Sequence, residues 1–302
     1  MTGLLKHCRL CPRACGADRT RTRGLCGAND QIEAARASLH LWEEPPISGT
    51  RGSGTVFFSH CSLGCVFCQN RQISRREAAG KAVSVQSLAR TFLSLERQGA
   101  HNINLVTGAH YVPHIIEALR LARRDGLAIP IVYNSSGYES VDTLRLLDGW
   151  IDIYLPDYKY YSSYYAERYS NAADYRETAV AAIEEMVRQT GAPQYGADGM
   201  LKKGTVIRHL MLPGLGGDTA QVLRDIAVRF GDTVLVSLMR QYTPFDMQDW
   251  PELNRTITDT EYEEACALFQ DLGLCGFFQQ DESVSESFIP AFDGTGLEDT
   301  QI

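Results

Sequence analysis

The sequence predicts an α/β protein in which a six-strand, mainly parallel sheet alternates with helices behind a Cys-rich N-terminal extension. Three observations predict it. Six apolar runs rich in Val, Ile and Leu recur along the chain, helix-like segments with their own caps and stops separate them, and seven of the nine cysteines fall within the first 68 residues.

The strands come first. They are TVFFSHC (55–61), INLVTG (103–108), IPIVYNSS (129–136), IDIYLPDYK (151–159), TVIRHLML (205–212) and TVLVSLMRQY (233–242). Continuous apolar runs of this kind suit strands buried on both faces, as in a parallel sheet covered by helices. The helices carry punctuation. Ser84 caps a segment with Leu88, Phe92 and Leu95 on one face and Gly99 as its stop. Pro113 sits where a first turn tolerates it, ahead of Ile115, Ile116 and Leu119, with Gly126 as the stop. Asp218 precedes a helix near 219–229, and Thr258 with Glu261 forms a capping-box pattern ahead of Tyr262, Ala265 and Phe269. Strand-then-helix order implies right-handed parallel crossovers.

Two intervals, after the first and the fourth strand, are about twice the usual length. The second holds seven tyrosines between 158 and 175, which read as a surface helix whose rings pack inward, or as a lid or docking surface beyond a strand's C-terminal end. The tail FDGTGLEDTQI is expected to fray. Cys266 and Cys275 read as core.

With 302 residues the chain supports a core that needs no staples, so the cysteines have no stabilising task. A hydrophobic fraction of 44%, without any run long enough to span a bilayer, excludes a membrane span. The N-terminus lacks a signal-peptide h-region, so a cytoplasmic setting is expected and disulfides are not. A net charge of −8 argues against general nucleic-acid binding, although residues 1–26 are locally basic. Arg9, Arg13 and their neighbours read either as a solvated surface or as cations that offset nearby thiolates.

In CSLGCVFCQN (61–70), three cysteines stand at i, i+4 and i+7. That spacing fits one face of a helix, but the segment ends a strand, contains Gly64 and runs into Gln69, Asn70 and Arg71, which favours a loop wrapped around a ligand. Zinc takes four ligands, or three with an open water position, usually including His or a carboxylate. An iron–sulfur cube wants one ligand for each of four irons. Three thiolates on a cube leave one iron open for a substrate or cofactor.

The C-x3-C-x2-C motif, with the aromatic Phe67 between its last two cysteines and at the first of six strands, resembles the radical S-adenosylmethionine (SAM) superfamily. EEPPISG (43–49), GSGTVFF (52–58), NINLVT (102–107), IPIVYNSSGYES (129–140), DIYLPDYKYY (152–161) and IRHLMLPG (207–214) extend the resemblance over nearly the whole chain to the PflX-type proteins, described as pyruvate formate-lyase activating enzyme-like. The resemblance implies a partial (β/α)6 TIM-type barrel over 51–250, with a Cys-rich extension over 1–50 and a C-terminal helix and tail over 251–302 packing on it. It also implies a 4Fe-4S cluster on Cys61, Cys65 and Cys68, whose open iron binds SAM and whose electron releases a 5′-deoxyadenosyl radical that abstracts hydrogen. A glycyl-radical enzyme is the implied target, and flavodoxin or ferredoxin the implied reductant. A peptide, an RNA or a small metabolite is the alternative target, and a non-catalytic electron carrier or scaffold the alternative role.

The resemblance further assigns site residues. Phe67 places its backbone near adenine. The usual Gly-Gly-Glu element, which holds the methionine amine, is replaced by Thr107, Gly108, Ala109 and His110, so Gly108 keeps close backbone approach but no carboxylate follows. His110 is either a proton partner or a satisfied structural histidine. Asn134 and Ser135 offer oxygens to ribose or a monovalent cation. Asp157 and Lys159, two apart, face one side of their strand, with Lys159 poised for the methionine carboxylate. A surface ion pair is the bland alternative for them. Arg208, inside an apolar strand, needs a carboxylate from the cofactor or Asp157. Met239, Gln241 and Tyr242 fall where adenine is commonly contacted.

Cys8, Cys11, Cys15 and Cys26 give C-x2-C-x3-C-x10-C. By count, four thiols suit a structural zinc or a second iron–sulfur cluster equally, with unmetallated thiols as the third reading.

Overall fold

The computed structural model describes residues 3–78, 80–245, 247–279 and 290–297. Its strands are β1 (Ile32–His40), β2 (Ser53–Phe58), β3 (Lys81–Val83), β4 (Ile103–Val106), β5 (Ile131–Ser135), β6 (Ile153–Pro156), β7 (Gln194–Tyr195), β8 (Leu201–Leu210), β9 (Leu235–Met239) and β10 (Gly276–Phe278). They form one sheet in the order β10-β9-β8-β6-β5-β4-β2-β1-β3, with β7 paired to β8. All six expected strands are present as β2, β4, β5, β6, β8 and β9, neighbours in sequence order and parallel throughout. The result is the expected α/β partial barrel.

The sheet is larger than the six runs indicate. β1 lies antiparallel to β2 and β3 antiparallel to β1, so residues 32–40, placed by the sequence reading in the N-terminal extension, belong to the sheet. β1 carries three alanines and no valine, which weakens the β-branched signal that marks the other strands. β10 extends the opposite edge in parallel.

The helices follow their punctuation. Ser84 accepts the Ser87 N–H at the start of the helix Val85–Arg97, and Thr258 and Glu261 complete a reciprocal capping box on Asp259–Asp271. Pro113 occupies the first turn of Val112–Arg124. Asp218 departs from expectation. It sits inside the helix Gly216–Phe230 and accepts the Tyr161 and Ser162 N–H groups at 3.1 and 2.8 Å, so it caps the neighbouring helix Ser163–Ser170.

Two more expectations are corrected. The tail does not fray through residue 297: Gly294 N–H donates to the Ala35 carbonyl, Ala37 N–H to that of Thr295, and the Phe292 ring meets Phe57 edge-on at 5.4 Å. Gly296 enables this approach, since a Cβ there would stand 1.9 Å from the Ala37 oxygen. Residues 298–302 lie outside the described residues. Cys275 is exposed, because the turn after its helix leads to an edge strand, while Cys266 is partly buried as expected. Among the described residues no helix is long and apolar enough to cross a membrane.

Of the seven tyrosines in 158–175, Tyr158, Tyr160, Tyr169 and Tyr175 are fully buried and only Tyr164 is strongly exposed. The segment is therefore chiefly internal support, and the site shows what it supports.

Candidate active site

A cleft of about 230 Å³ opens over the C-terminal ends of the parallel strands. Cys61, Cys65 and Cys68 line one side, on a loop that leaves β2, turns at Gly64 in a left-handed conformation and ends in the helical turn Arg71–Ser74. The segment is a loop and not a helix, as its polar flank implied. Each sulfur has a donor at hand: Leu63 N–H to Cys61 at 3.4 Å, Ser170 Oγ to Cys65 at 3.0 Å and Ser74 Oγ to Cys68 at 3.3 Å. Burial pushes the Cys61 thiol up to about 12 and raises that of Cys65, although Lys159 pulls the latter down. As free groups these thiols stay protonated; as ligands they need a metal's positive charge.

The opposite wall is a charged network. Asp157 accepts Lys159 Nζ at 2.6 Å through one oxygen and Arg208 Nε at 3.1 Å through the other. Arg208 also reaches Asn134 Oδ1 at 2.6 Å and Glu43 at 3.3 Å, and Glu43 accepts Asn104 Nδ2 at 2.8 Å. The four charged side chains keep only 9 to 16% of their surface exposed, so the surface-pair reading of Asp157 and Lys159 fails. Burial opposes ionisation of Asp157, yet Lys159 and Arg208 together hold its carboxyl below the usual range. Burial likewise acts against the Lys159 charge, and Asp157 overrides it to raise the ammonium to about 12. Glu43 and Glu44 are both raised, because desolvation there exceeds the pull of Arg208.

The cleft brings together Phe67, Asn134, Ser135, Asp157, Lys159, Arg208, Met239 and Gln241 with the three cysteines. Gly108 does not line it: a Cβ at Gly108 would meet Ile115 Cδ1 at 2.7 Å, so its smallness serves packing behind the wall. The lining residue is Thr107, a β-branched residue with φ of +60°. His60, just before Cys61, is a second left-handed lining residue, at +74°. Local backbone strain thus collects at the cleft. His110 is structural. Buried and bonded through Nε2 to the Ser59 carbonyl at 2.8 Å, it is held neutral by desolvation, its value lowered to about 3. Tyr242 is buried behind Phe67 and bonds the Leu253 carbonyl.

Behind the site stand the tyrosines. Tyr175 hydroxyl donates toward the Asp157 and Ser136 carbonyls, both at 2.8 Å, and accepts the Lys159 N–H at 3.0 Å. Tyr160 shares a hydrogen bond with Ser170, the donor to Cys65. The sequence reading assigned no site role to Glu43, Asn104 or Ser170, and named Thr107 only as one of the four residues in place of Gly-Gly-Glu. For Glu43 a signal existed: an acidic pair, Glu43-Glu44, directly before Pro45-Pro46.

The N-terminal cysteines gather next to the same loop. Cys8, Cys11 and Cys26 are buried, and all nine cysteines of the chain are free. Arg13 donates to the Ser62 carbonyl at 3.1 Å and to the Ser170 and Asn171 carbonyls, tying the arm to the three-cysteine loop.

A family model described as the radical SAM superfamily matches residues 55–226. An uncharacterized protein of Methanocaldococcus jannaschii is 28% identical over 283 residues, covering 90% of this chain and 76% of its own. Among solved structures, a radical SAM methyltransferase from Sphaerobacter thermophilus aligns with a TM-score of 0.53 at 13% identity, over 75% of this chain and 66% of that one. Methylornithine synthase aligns at 0.51 and 13% identity, over 80% and 70%. The hydrogenase maturase HydG aligns at 0.51 and 14% identity, over 78% of this chain but 54% of its own. At these identities the likeness is one of fold.

Proposed function

The chain belongs to the radical SAM superfamily, and on that premise we propose that Cys61, Cys65 and Cys68 hold a 4Fe-4S cluster at which SAM is reductively cleaved. One observation carries the reading: three thiols line one side of a cleft whose opposite wall offers charged and polar groups, Lys159 and Arg208 among them, suited to a zwitterionic cofactor. The donor set fits the group, since three sulfurs provide for three irons and leave one for the cofactor. When bound and reduced, the cluster supplies the electron that breaks a carbon–sulfur bond of SAM and starts hydrogen abstraction.

The chain's own residues do the rest. Leu63 N–H, Ser170 and Ser74 donate to the three sulfurs and disperse their negative charge. Asp157 fixes Lys159 and Arg208 in position before anything binds, with Lys159 the partner for the methionine carboxylate. Asn134 and Ser135, which line the cleft, would take the ribose, and Phe67, Met239 and Gln241 the adenine. Phe67 closes its side of the cleft against Tyr160 and Tyr242, which keeps water from the reacting atoms.

For the substrate we propose a glycine Cα–H of a partner enzyme, on the strength of the PflX-type sequence pattern, with flavodoxin or ferredoxin as the electron source. A second reading, a small polar substrate, is favoured by Glu43, which lines the cleft and is hydrogen-bonded to Asn104. The test is anaerobic reconstitution with iron and sulfide, addition of SAM and a strong reductant, and mass detection of 5′-deoxyadenosine. Production is expected, and its loss in Cys65→Ala. A fully loaded cluster that yields no product removes the catalytic reading. A glycyl-radical signal on an added partner enzyme then separates the first substrate from the second.

A further inference from the structure

We infer that Cys8, Cys11, Cys15 and Cys26 form a second iron–sulfur site, fully ligated by the protein and separate from the one at Cys61, Cys65 and Cys68. The first ground is convergence. Cys11 lies in the field of Cys8 and Cys26, and Cys26 in that of Cys8 and Cys15. A Cβ at Gly24 would stand 3.5 Å from the Cys26 sulfur and 3.6 Å from that of Cys15, so a bare glycine lies against both. The arm turns tightly to achieve this, with left-handed backbone at Ala14, Gly16 and Gly27 and a Cys8 N–H to Ala17 carbonyl bond at 3.0 Å.

The second ground is charge. Arg19 is 1% exposed, and its guanidinium meets the Asn29 and His110 carbonyls, the face of the Tyr111 ring at 5.7 Å and the Cys8 sulfur at 3.9 Å. No carboxylate stands within ion-pair distance of it among the described residues. A buried cation without a counter-anion is costly, whereas a thiolate-bound metal centre carries the net negative charge that would balance it. Neutral, unmetallated thiols would leave that charge to carbonyls and one aromatic face, with no anion beside it.

The third ground is spacing. Zinc holds sulfurs at about 2.3 Å, which sets them roughly 4 Å from one another. Among the described residues no three Cys, His, Asp or Glu side chains close on a point that a single ion could occupy. Nor do Cys61, Cys65 and Cys68 close on such a point. A cube spreads its ligands because each binds a different iron. With four thiolates on four irons no iron is open, and this centre takes no substrate. It pins the arm, and through Arg13 it braces Ser62 and Ser170 against the first site.

The test isolates the arm. A Cys61→Ala, Cys65→Ala, Cys68→Ala triple variant, purified without oxygen and reconstituted with iron and sulfide in the presence of competing zinc, is expected to retain about four irons per chain and the spectrum of a reduced cube. One zinc without iron, or no metal at all, overturns the proposal. Independently, Cys11→Ser in the otherwise intact chain should reduce the iron content from about eight to about four. Unchanged iron in that variant overturns it as well. Should either variant fail to fold by circular dichroism, the other decides. Failure of the first site shows instead as iron lost only from the Cys61, Cys65 and Cys68 set, so the two readings fall separately.

Discussion

Ser170 hydroxyl donates to the Cys65 sulfur at 3.0 Å while its carbonyl accepts Arg13 of the N-terminal arm at 3.1 Å. One residue at the end of a tyrosine-rich helix thus links both cysteine sets. Hydrogen bonds to ligating sulfurs stabilise the more negative, reduced state of an iron–sulfur centre. Ser170→Ala should therefore leave iron content unchanged and shift the midpoint potential of the first site to a more negative value, read by an EPR-monitored redox titration. A potential equal to wild type would mean that this hydroxyl does not tune the centre.

Arg208 is held between Asp157 and Glu43, and neither acid is well solvated. Arg208→Met leaves Glu43 without a cation, and breaking a buried pair from one side costs about 3–5 kcal/mol. Chemical denaturation should show a loss on this scale. Adding Glu43→Gln removes the stranded charge, so the double variant should lose less than the sum of the single ones by about 0.5–3 kcal/mol. Strict additivity would show that the two side chains do not couple.

Much of this architecture is legible in the sequence. The strands that carry the site are continuous apolar runs, and a period of that kind survives without tertiary information, as does the reciprocal cap at Thr258 and Glu261. What escapes is the chemistry of residues that meet through the fold. Glu43 reaches Asn104 and Arg208 from outside the strand runs, across sequence separations of 61 and 165 residues. Asp218 has the look of a cap for its own helix and serves another, because the crossover after β6 brings Tyr161 and Ser162 to it. β1 hides behind its alanines, whose low β-propensity is overridden by pairing with β2 on one side and β3 on the other. The tail 290–297 is ordered by the same strand, through backbone bonds that have no sequence signature.

Tyr175 holds two strand ends at once, through Ser136 beyond β5 and through Asp157 and Lys159 beyond β6. Tyr175→Phe keeps the ring, stacked near Tyr138, and strips these backbone groups of their buried partner. Each unsatisfied group costs about 1–3 kcal/mol. The expected outcome is a thermal destabilisation of that order, together with weaker SAM binding by calorimetry, because Lys159 loses its fixed backbone. Reduced stability with unaltered SAM affinity would confine Tyr175 to folding.

Glu139 supplies a pH test independent of any cofactor. Its carboxyl is buried, with only the Tyr133 and Ser135 hydroxyls among the described residues to support a charge, and burial raises its value to about 8. In the unfolded chain a glutamate titrates near ~4.3. The folded state therefore binds the proton more tightly, so the stabilising contribution is complete below about pH 4.3 and is lost as pH rises toward 8. Over that window the linkage slope is about 1.4 kcal/mol per pH unit at most. Glu139→Gln keeps the shape of the neutral acid and removes the titration. Its stability relative to wild type should rise by about 1 kcal/mol per unit between pH 5 and 8, measured by urea denaturation. A difference that stays flat with pH would place the Glu139 carboxylate, charged, in contact with a cation or with solvent.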